Sequence, residues 1–235
     1  LLSRLGFRDV GYSIAVKYMR TLAKLMLILA GVKVRVEGTE NLPQDLPVVF
    51  VSSHQGHFDS AVILAYLKYP VVFVASSNAA KFPIISQWFN LGKTVYMERD
   101  NLRQNYQAVK EAQAAVESGH CVVIFPEGII SKKAEMGEFR RGSFKVATEP
   151  GVPIVPLVID GTWKVMGSNS DTIQPADVVL RILPQVPTAG LTKQEQHELP
   201  QKVFESIEKN LKEIQQRSST KRPDRPKPSN RTISY

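Results

Sequence analysis

Short runs of branched apolar residues recur along the chain, separated by stretches whose apolar residues return every third or fourth position. The runs are Val32–Val36, Val48–Val51, Val71–Ala75, Thr94–Met97, Val122–Phe125, Ile154–Ile159 and Val178–Leu183. Most have Gly, Pro, Asn or Asp close by, and they predict strands. Between them, Ser60–Leu67, Phe82–Phe89 and Leu102–Ser118 predict helices. In the last, Leu102, Tyr106, Val109, Ala112 and Val116 mark one face, with Asp100 or Asn101 as cap and Gly119 as stop. Leu199, Val203, Ile207, Leu211 and Ile214 predict a final amphipathic helix over about 197–216, with Pro200 tolerated in its first turn. Near-continuous apolar strands separated by helices point to an α/β fold, a single domain with a mostly parallel, helix-covered sheet.

An amphipathic helical segment precedes this pattern. Residues 12–31 predict a helix ending at Gly31, with Lys17, Arg20 and Lys24 on one face opposite a broad Leu/Ile/Met face. The longest uninterrupted apolar run, Leu25–Ala30, is far too short to span a bilayer. Two uses suit such a helix: lying in a membrane interface, or covering the core of its own domain. The membrane reading is preferred here. The chain then divides into an N-terminal membrane-interface segment, 1–31, an α/β domain, 32–216, and a basic tail, 218–235. The tail has Pro, Ser and Lys/Arg but almost nothing to bury, so it is expected to be disordered.

Composition changes this picture only at the edges. A chain of 235 residues, 43% hydrophobic, supports one sizeable core. The single Cys121 excludes a disulfide scaffold, and a mean hydropathy of −0.14 excludes a polytopic membrane protein. The net charge of +8 is unevenly placed: residues 1–35 carry +6, residues 211–235 carry +5, and the middle is slightly acidic. Basic ends around an acidic middle suit attraction to an anionic membrane surface, and they do not suit a nucleic-acid-binding face. The chain begins Leu1-Leu2 rather than with Met, which leaves room for an upstream segment.

Candidate chemistry lies where predicted strands end. Val48–Val51 runs into Ser52-Ser53-His54-Gln55-Gly56-His57-Phe58-Asp59. A spacing of five puts helical residues about 140° apart, so His54 and Asp59 cannot share a helix face. They meet if His54 ends the strand and Asp59 caps the next helix after a turn through Gly56. A carboxylate on one imidazole nitrogen would leave the other free to take a proton from a hydroxyl. Two other readings stand beside this one: His54, His57 and Asp59 as ligands of a metal-dependent hydrolase, and Asp59 as a simple N-cap.

Val122–Phe125 delivers Pro126-Glu127-Gly128, a sharp turn with a carboxylate in need of a partner such as a polyol hydroxyl or an Arg. Lys132, Lys133, Arg140 and Arg141 follow, facing either a phosphate or solvent. Arg99 ends another strand, where it can hold phosphate or pair with Glu98 or Glu127. Val152-Pro153-Ile154-Val155-Pro156-Leu157 has no chemistry of its own but can build a wall.

Taken in order, His-x4-Asp, a strand ending in Arg, Phe-Pro-Glu-Gly and Val-Pro-Ile-Val-Pro resemble the glycerolipid acyltransferase family over about residues 30–190. The bacterial 1-acylglycerol-3-phosphate acyltransferases are the nearest type, and Phe139–Ala147 also looks like the family's stretch after the third block. The resemblance implies transfer of a fatty acyl group from acyl-CoA or acyl-ACP to a lysoglycerolipid hydroxyl, without a covalent acyl-enzyme. His54 would be the base and Asp59 its orienting partner. Arg99 would bind the acceptor's phosphate, Glu127 and Gly128 would shape the acceptor pocket, and Val152–Leu157 would lie near the acyl chain. No metal or organic cofactor is expected, and the site would work at the cytoplasmic face of the cell membrane. The chain departs from the family at Ser53, usually Asn, and at Ile129-Ile130-Ser131, usually Thr-Arg-Ser. Lys132 is the candidate replacement for the missing Arg. That departure opens the reading to other lyso-lipid acceptors, or to an inactive membrane-binding module.

Overall fold

The computed structural model describes residues 7–77, 93–98, 101–166 and 172–220, with backbone alone at 7–15, 102 and 219. Among them, all seven expected strands form and join one sheet. They are β1 (Lys33–Glu37), β2 (Val49–Ser52), β3 (Val71–Ser76), β4 (Val95–Met97), β5 (Cys121–Ile124), β6 (Ile154–Asp160) and β7 (Asp177–Ile182), in the order β1-β7-β6-β2-β5-β3-β4. The five strands β2 to β6 run parallel. β7 lies antiparallel to β6, and β1 pairs with β7 in parallel. The mostly parallel α/β fold read from the sequence is therefore observed, with a reversed pair at one margin.

Alternation along each strand supplies two cores. Phe50, Phe73, Val123, Leu157 and Leu180 face one side, while Val49, Val51, Val122, Val158 and Val179 face the other. The first side is closed by α1 (Phe7–Leu29) and α2 (Asp59–Tyr66), which also pack on each other. The second is closed by α3 (Leu102–Glu117) and α5 (Lys193–Thr220), with the short α4 (Lys145–Thr148) between them in sequence. Each large apolar side chain buried this way contributes roughly 1.5–3 kcal/mol.

Several expectations need correction. α3 buries Ala108, Ala112 and Val116, while Tyr106 points outward. Small residues let the helix lie close to the sheet, which a pattern of large apolar residues does not reveal. Asn101 is its cap, accepting from the Gln104 N–H at 3.1 Å. The last helix starts at Lys193, so Pro200 stands inside it rather than in its first turn. That helix runs through Thr220, three residues into the expected tail, and 221–235 lie outside the described residues. The expected helix Phe82–Phe89 lies outside them too.

α1 has two apolar faces rather than one. Val16, Met19, Ala23, Leu27 and Ala30 are buried in the domain's core, as a covering helix requires. Tyr18, Leu25, Ile28 and Leu29 remain exposed, the last two at 69% and 78%. Lys17 and Lys24 are exposed between the two faces. No described helix is long and apolar enough to cross a membrane.

The reversed strand pair decides where α1 ends. β1 runs opposite to β2–β6, so it begins at the edge where those strands finish, and α1 leads into it through Gly31. Exposed Ile28 and Leu29 therefore stand at the carboxyl edge of the parallel strands. Exposed Ile129 follows β5 there, and exposed Ile173 precedes β7.

Candidate active site

Three neighbouring strands, β6, β2 and β5, deliver their following loops to one place at that edge, the usual position for chemistry in an α/β sheet. The loop after β2 carries His54 and leads into α2. Asp59 is the first residue of α2 rather than its cap; the capping position is Phe58, whose side chain makes no capping bond. The Asp59 carboxylate is turned back across the loop. His54 Nδ1 donates to its Oδ2 at 2.7 Å, and the Gly56 N–H donates to the same oxygen at 3.0 Å. Thr162 Oγ1, from the turn after β6, donates to Oδ1 at 2.5 Å. Asp59 is wholly buried, whereas the His54 side chain keeps 17% of its surface exposed. One face of the imidazole stacks on Phe125, with ring centroids 4.1 Å apart.

The loop after β5 holds the His54 backbone. Glu127 accepts the His54 N–H through Oε1 and the Gly137 N–H through Oε2, each at 3.0 Å. The Ser131 N–H donates to the His54 carbonyl at 2.8 Å. The protein partners of this buried carboxylate are thus backbone donors rather than the arginine considered from the sequence. Burial pushes the Glu127 carboxyl above its ordinary pKa, and the two N–H bonds pull it partly back. Gly128 takes a left-handed φ of 67°, and the Arg140 guanidinium lies against it.

Lys132 also sits in the left-handed region, at φ 55°, which a side chain bearing Cβ occupies at a cost of about 1–2 kcal/mol. Its charge reaches the first loop. Burial, then the charges of Lys132 and His54, push the His57 imidazole below its ordinary pKa, against the pull of Asp59. His57 takes no part in the hydrogen bonds to Asp59. Among the described residues no three His, Cys, Asp or Glu side chains group so as to hold a metal ion. The candidate set His54, His57 and Asp59 is not such a group, because the Asp59 oxygens are taken by Nδ1, Gly56 and Thr162.

The structure therefore brings His54, Asp59, Glu127, Gly128 and Lys132 to one edge, while Arg99 lies outside the described residues. Val152–Leu157 runs into β6, the neighbour of β2. Chemically, an imidazole whose Nδ1–H is held by a buried carboxylate presents Nε2 as a proton acceptor. A hydroxyl losing its proton there becomes a nucleophile.

This sheet, with a His–carboxylate pair at its carboxyl edge, corresponds to a known class. The acyltransferase family model matches residues 33–160, and the chain belongs to that family. Over 142 residues it is 34% identical to a chloroplastic 1-acyl-sn-glycerol-3-phosphate acyltransferase of Arabidopsis thaliana, covering 60% of this chain and 40% of that protein. The 1-acyl-sn-glycerol-3-phosphate acyltransferase of Borreliella burgdorferi is 25% identical over 196 residues, covering 83% of this chain and 78% of that one. The crystal structure of the 1-acyl-sn-glycerophosphate acyltransferase PlsC from Thermotoga maritima superposes with a TM-score of 0.77. The two share 26% identity, covering 88% of this chain and 83% of that chain. The chain spans under half the length of the first plant and algal relatives it matches.

Proposed function

We propose that the chain transfers a fatty acyl group from an acyl thioester to the free hydroxyl of a lysoglycerolipid, with 1-acylglycerol-3-phosphate as acceptor and phosphatidate as product. The observation carrying this reading is the 2.7 Å contact between His54 Nδ1 and a fully buried Asp59, on a ring that still reaches solvent. His54 Nε2 takes the acceptor's hydroxyl proton as the oxygen attacks the thioester carbonyl. The tetrahedral intermediate collapses, and the imidazolium returns the proton to the departing thiolate. Glu127 holds the His54 backbone, and Gly128 keeps the adjoining wall low. Lys132 meets the acceptor's phosphate together with Arg99. The names of the relatives support the acceptor. Ile129-Ile130 in place of Thr-Arg favours, as a second reading, a lysophospholipid with a larger head group.

Membrane docking belongs to the same proposal. The exposed apolar residues Ile28, Leu29, Ile129 and Ile173 share an edge with the imidazole, and Lys17 and Lys24 flank the outward face of α1. An anionic bilayer of the cytoplasmic face suits that surface. The reading is tested by purified protein supplied with oleoyl-CoA or oleoyl-ACP against 1-oleoylglycerol-3-phosphate and several other lysophospholipids. Transfer is expected with one donor at least, and His54→Ala is expected to remove it while melting like the parent. Transfer by His54→Ala at the parental rate would end the mechanism. Ile28→Asp with Leu29→Asp is expected to weaken sedimentation with anionic liposomes tenfold or more (order of magnitude from lost apolar burial), with soluble-substrate turnover retained.

A further inference from the structure

We propose that Thr162 is a positioning residue for the reaction: its hydroxyl fixes the Asp59 carboxylate so that His54 stays in its Nδ1–H form. This rests on the acyl-transfer reading above. Nothing in the sequence blocks pointed to Thr162, which lies 103 residues from Asp59 in the turn after β6. Both side chains are wholly buried, and the 2.5 Å bond is the shortest contact the carboxylate makes. Oδ2 already serves two donors, Nδ1 and the Gly56 N–H. Among the described residues Oδ1 has Thr162 alone. Without the hydroxyl, a buried oxygen loses its donor, and the carboxylate is free to rotate and divide its charge differently between imidazole and loop.

The turn is held as a positioning element should be. Gly161 has φ 104°, and a Cβ there would lie 2.4 Å from the Asp177 carbonyl oxygen, so only glycine fits. A Cβ on Gly56 would come 2.8 Å from the Thr162 carbonyl oxygen, so the two loops touch through backbone. Buried Gln55 accepts the Gly161 N–H at 3.2 Å and donates to the Ala134 carbonyl at 3.1 Å. The side chain next to His54 thereby ties the Thr162 turn to the loop that bears Lys132. β6 thus contributes a donor as well as a wall, and the dyad is completed from a third strand.

The test compares the full chain with Thr162→Val, which keeps the shape and removes the hydroxyl, and Thr162→Ser, which keeps the hydroxyl. With oleoyl-CoA and 1-oleoylglycerol-3-phosphate, Thr162→Val is expected to lower kcat roughly 10–100-fold, the scale set by leaving a buried carboxylate oxygen without its donor. KM for both substrates should stay within about twofold, and Thr162→Ser should restore most of kcat. Nitrogen NMR of 15N-histidine protein, with His54 assigned by its loss in His54→Ala, should show an Nδ1-protonated ring in the parent and tautomer averaging in Thr162→Val. Should the valine variant not fold, Thr162→Ala takes its place in both measurements. Parental kcat with unchanged His54 nitrogen shifts in the hydroxyl-free variant would overturn the proposal, as would a serine variant equally impaired. A parent without transfer would end the functional reading instead, and the nitrogen shifts would still decide whether Thr162 governs the ring.

Discussion

The loops after β2 and β5 both bring a buried carboxylate to His54, and they use it in opposite ways. Asp59 meets the imidazole itself, with a hydroxyl and one backbone N–H as its other donors. Glu127 makes its hydrogen bonds to the main chain instead; its oxygens take the backbone N–H groups of His54 and Gly137. One carboxylate bonds to a side chain, and the other bonds to the main chain that carries it. Buried carboxylates beside one histidine are therefore not equivalent. The atoms each one receives bonds from distinguish its task better than proximity does.

Substitutions can separate the two tasks. Asp59→Asn is expected to have the largest effect, a loss of transfer of roughly 10²–10⁴-fold, since an amide can present its N–H to Nδ1 and reverse the tautomer. Steady-state assays alongside circular dichroism check it; substantial activity in a folded Asp59→Asn protein would erase the contrast. Glu127→Gln should act mainly on stability, costing about 1–3 kcal/mol in urea unfolding because its NH2 must face a backbone N–H.

Acid–base behaviour sharpens the same point. Burial raises the folded-state pKa of Glu127, so the folded chain binds that proton more tightly than the unfolded chain does. Its contribution is unfavourable above the raised value and vanishes below the ordinary one. Stability should consequently fall as pH rises through that window, and Glu127→Gln should flatten the slope. Lys132→Ala is the mildest of the set, raising KM for a phosphate-bearing acceptor about tenfold with kcat little changed. Lys132→Gly should lose the same affinity yet melt higher than the alanine variant, because glycine accepts φ 55° without strain.

Much of this was legible in the sequence, and what was not has definite physical causes. Runs such as Val122-Val123-Ile124 announce strands because both of their faces are buried, and all seven runs became strands. Such runs carry no sign of direction, so the antiparallel pairing of β7 with β6 was hidden. His54 and Asp59 could be paired because only four residues, one of them a glycine, separate them. Thr162 could not, since closeness across 103 residues leaves no spacing to read. Glu127 was recognisable as a buried carboxylate, but its partners are main-chain groups that every residue possesses. The α3 seam was misjudged because Ala108 is too small to stand out beside Tyr106. On α1, a single apolar periodicity concealed separate inward and outward stripes.

The backward course of β1 and β7 has a consequence for the whole molecule. Had β1 followed the direction of its neighbours, the close of α1 would have stood at the far rim, a strand's length from the imidazole. Running as it does, it makes the helix that would touch lipid and the base that would deprotonate it parts of one rigid frame. Under the proposed docking the height of His54 above the acyl chains is then a fixed length. A lysolipid would be sorted by whether its hydroxyl stands at that height while its tail stays in the leaflet.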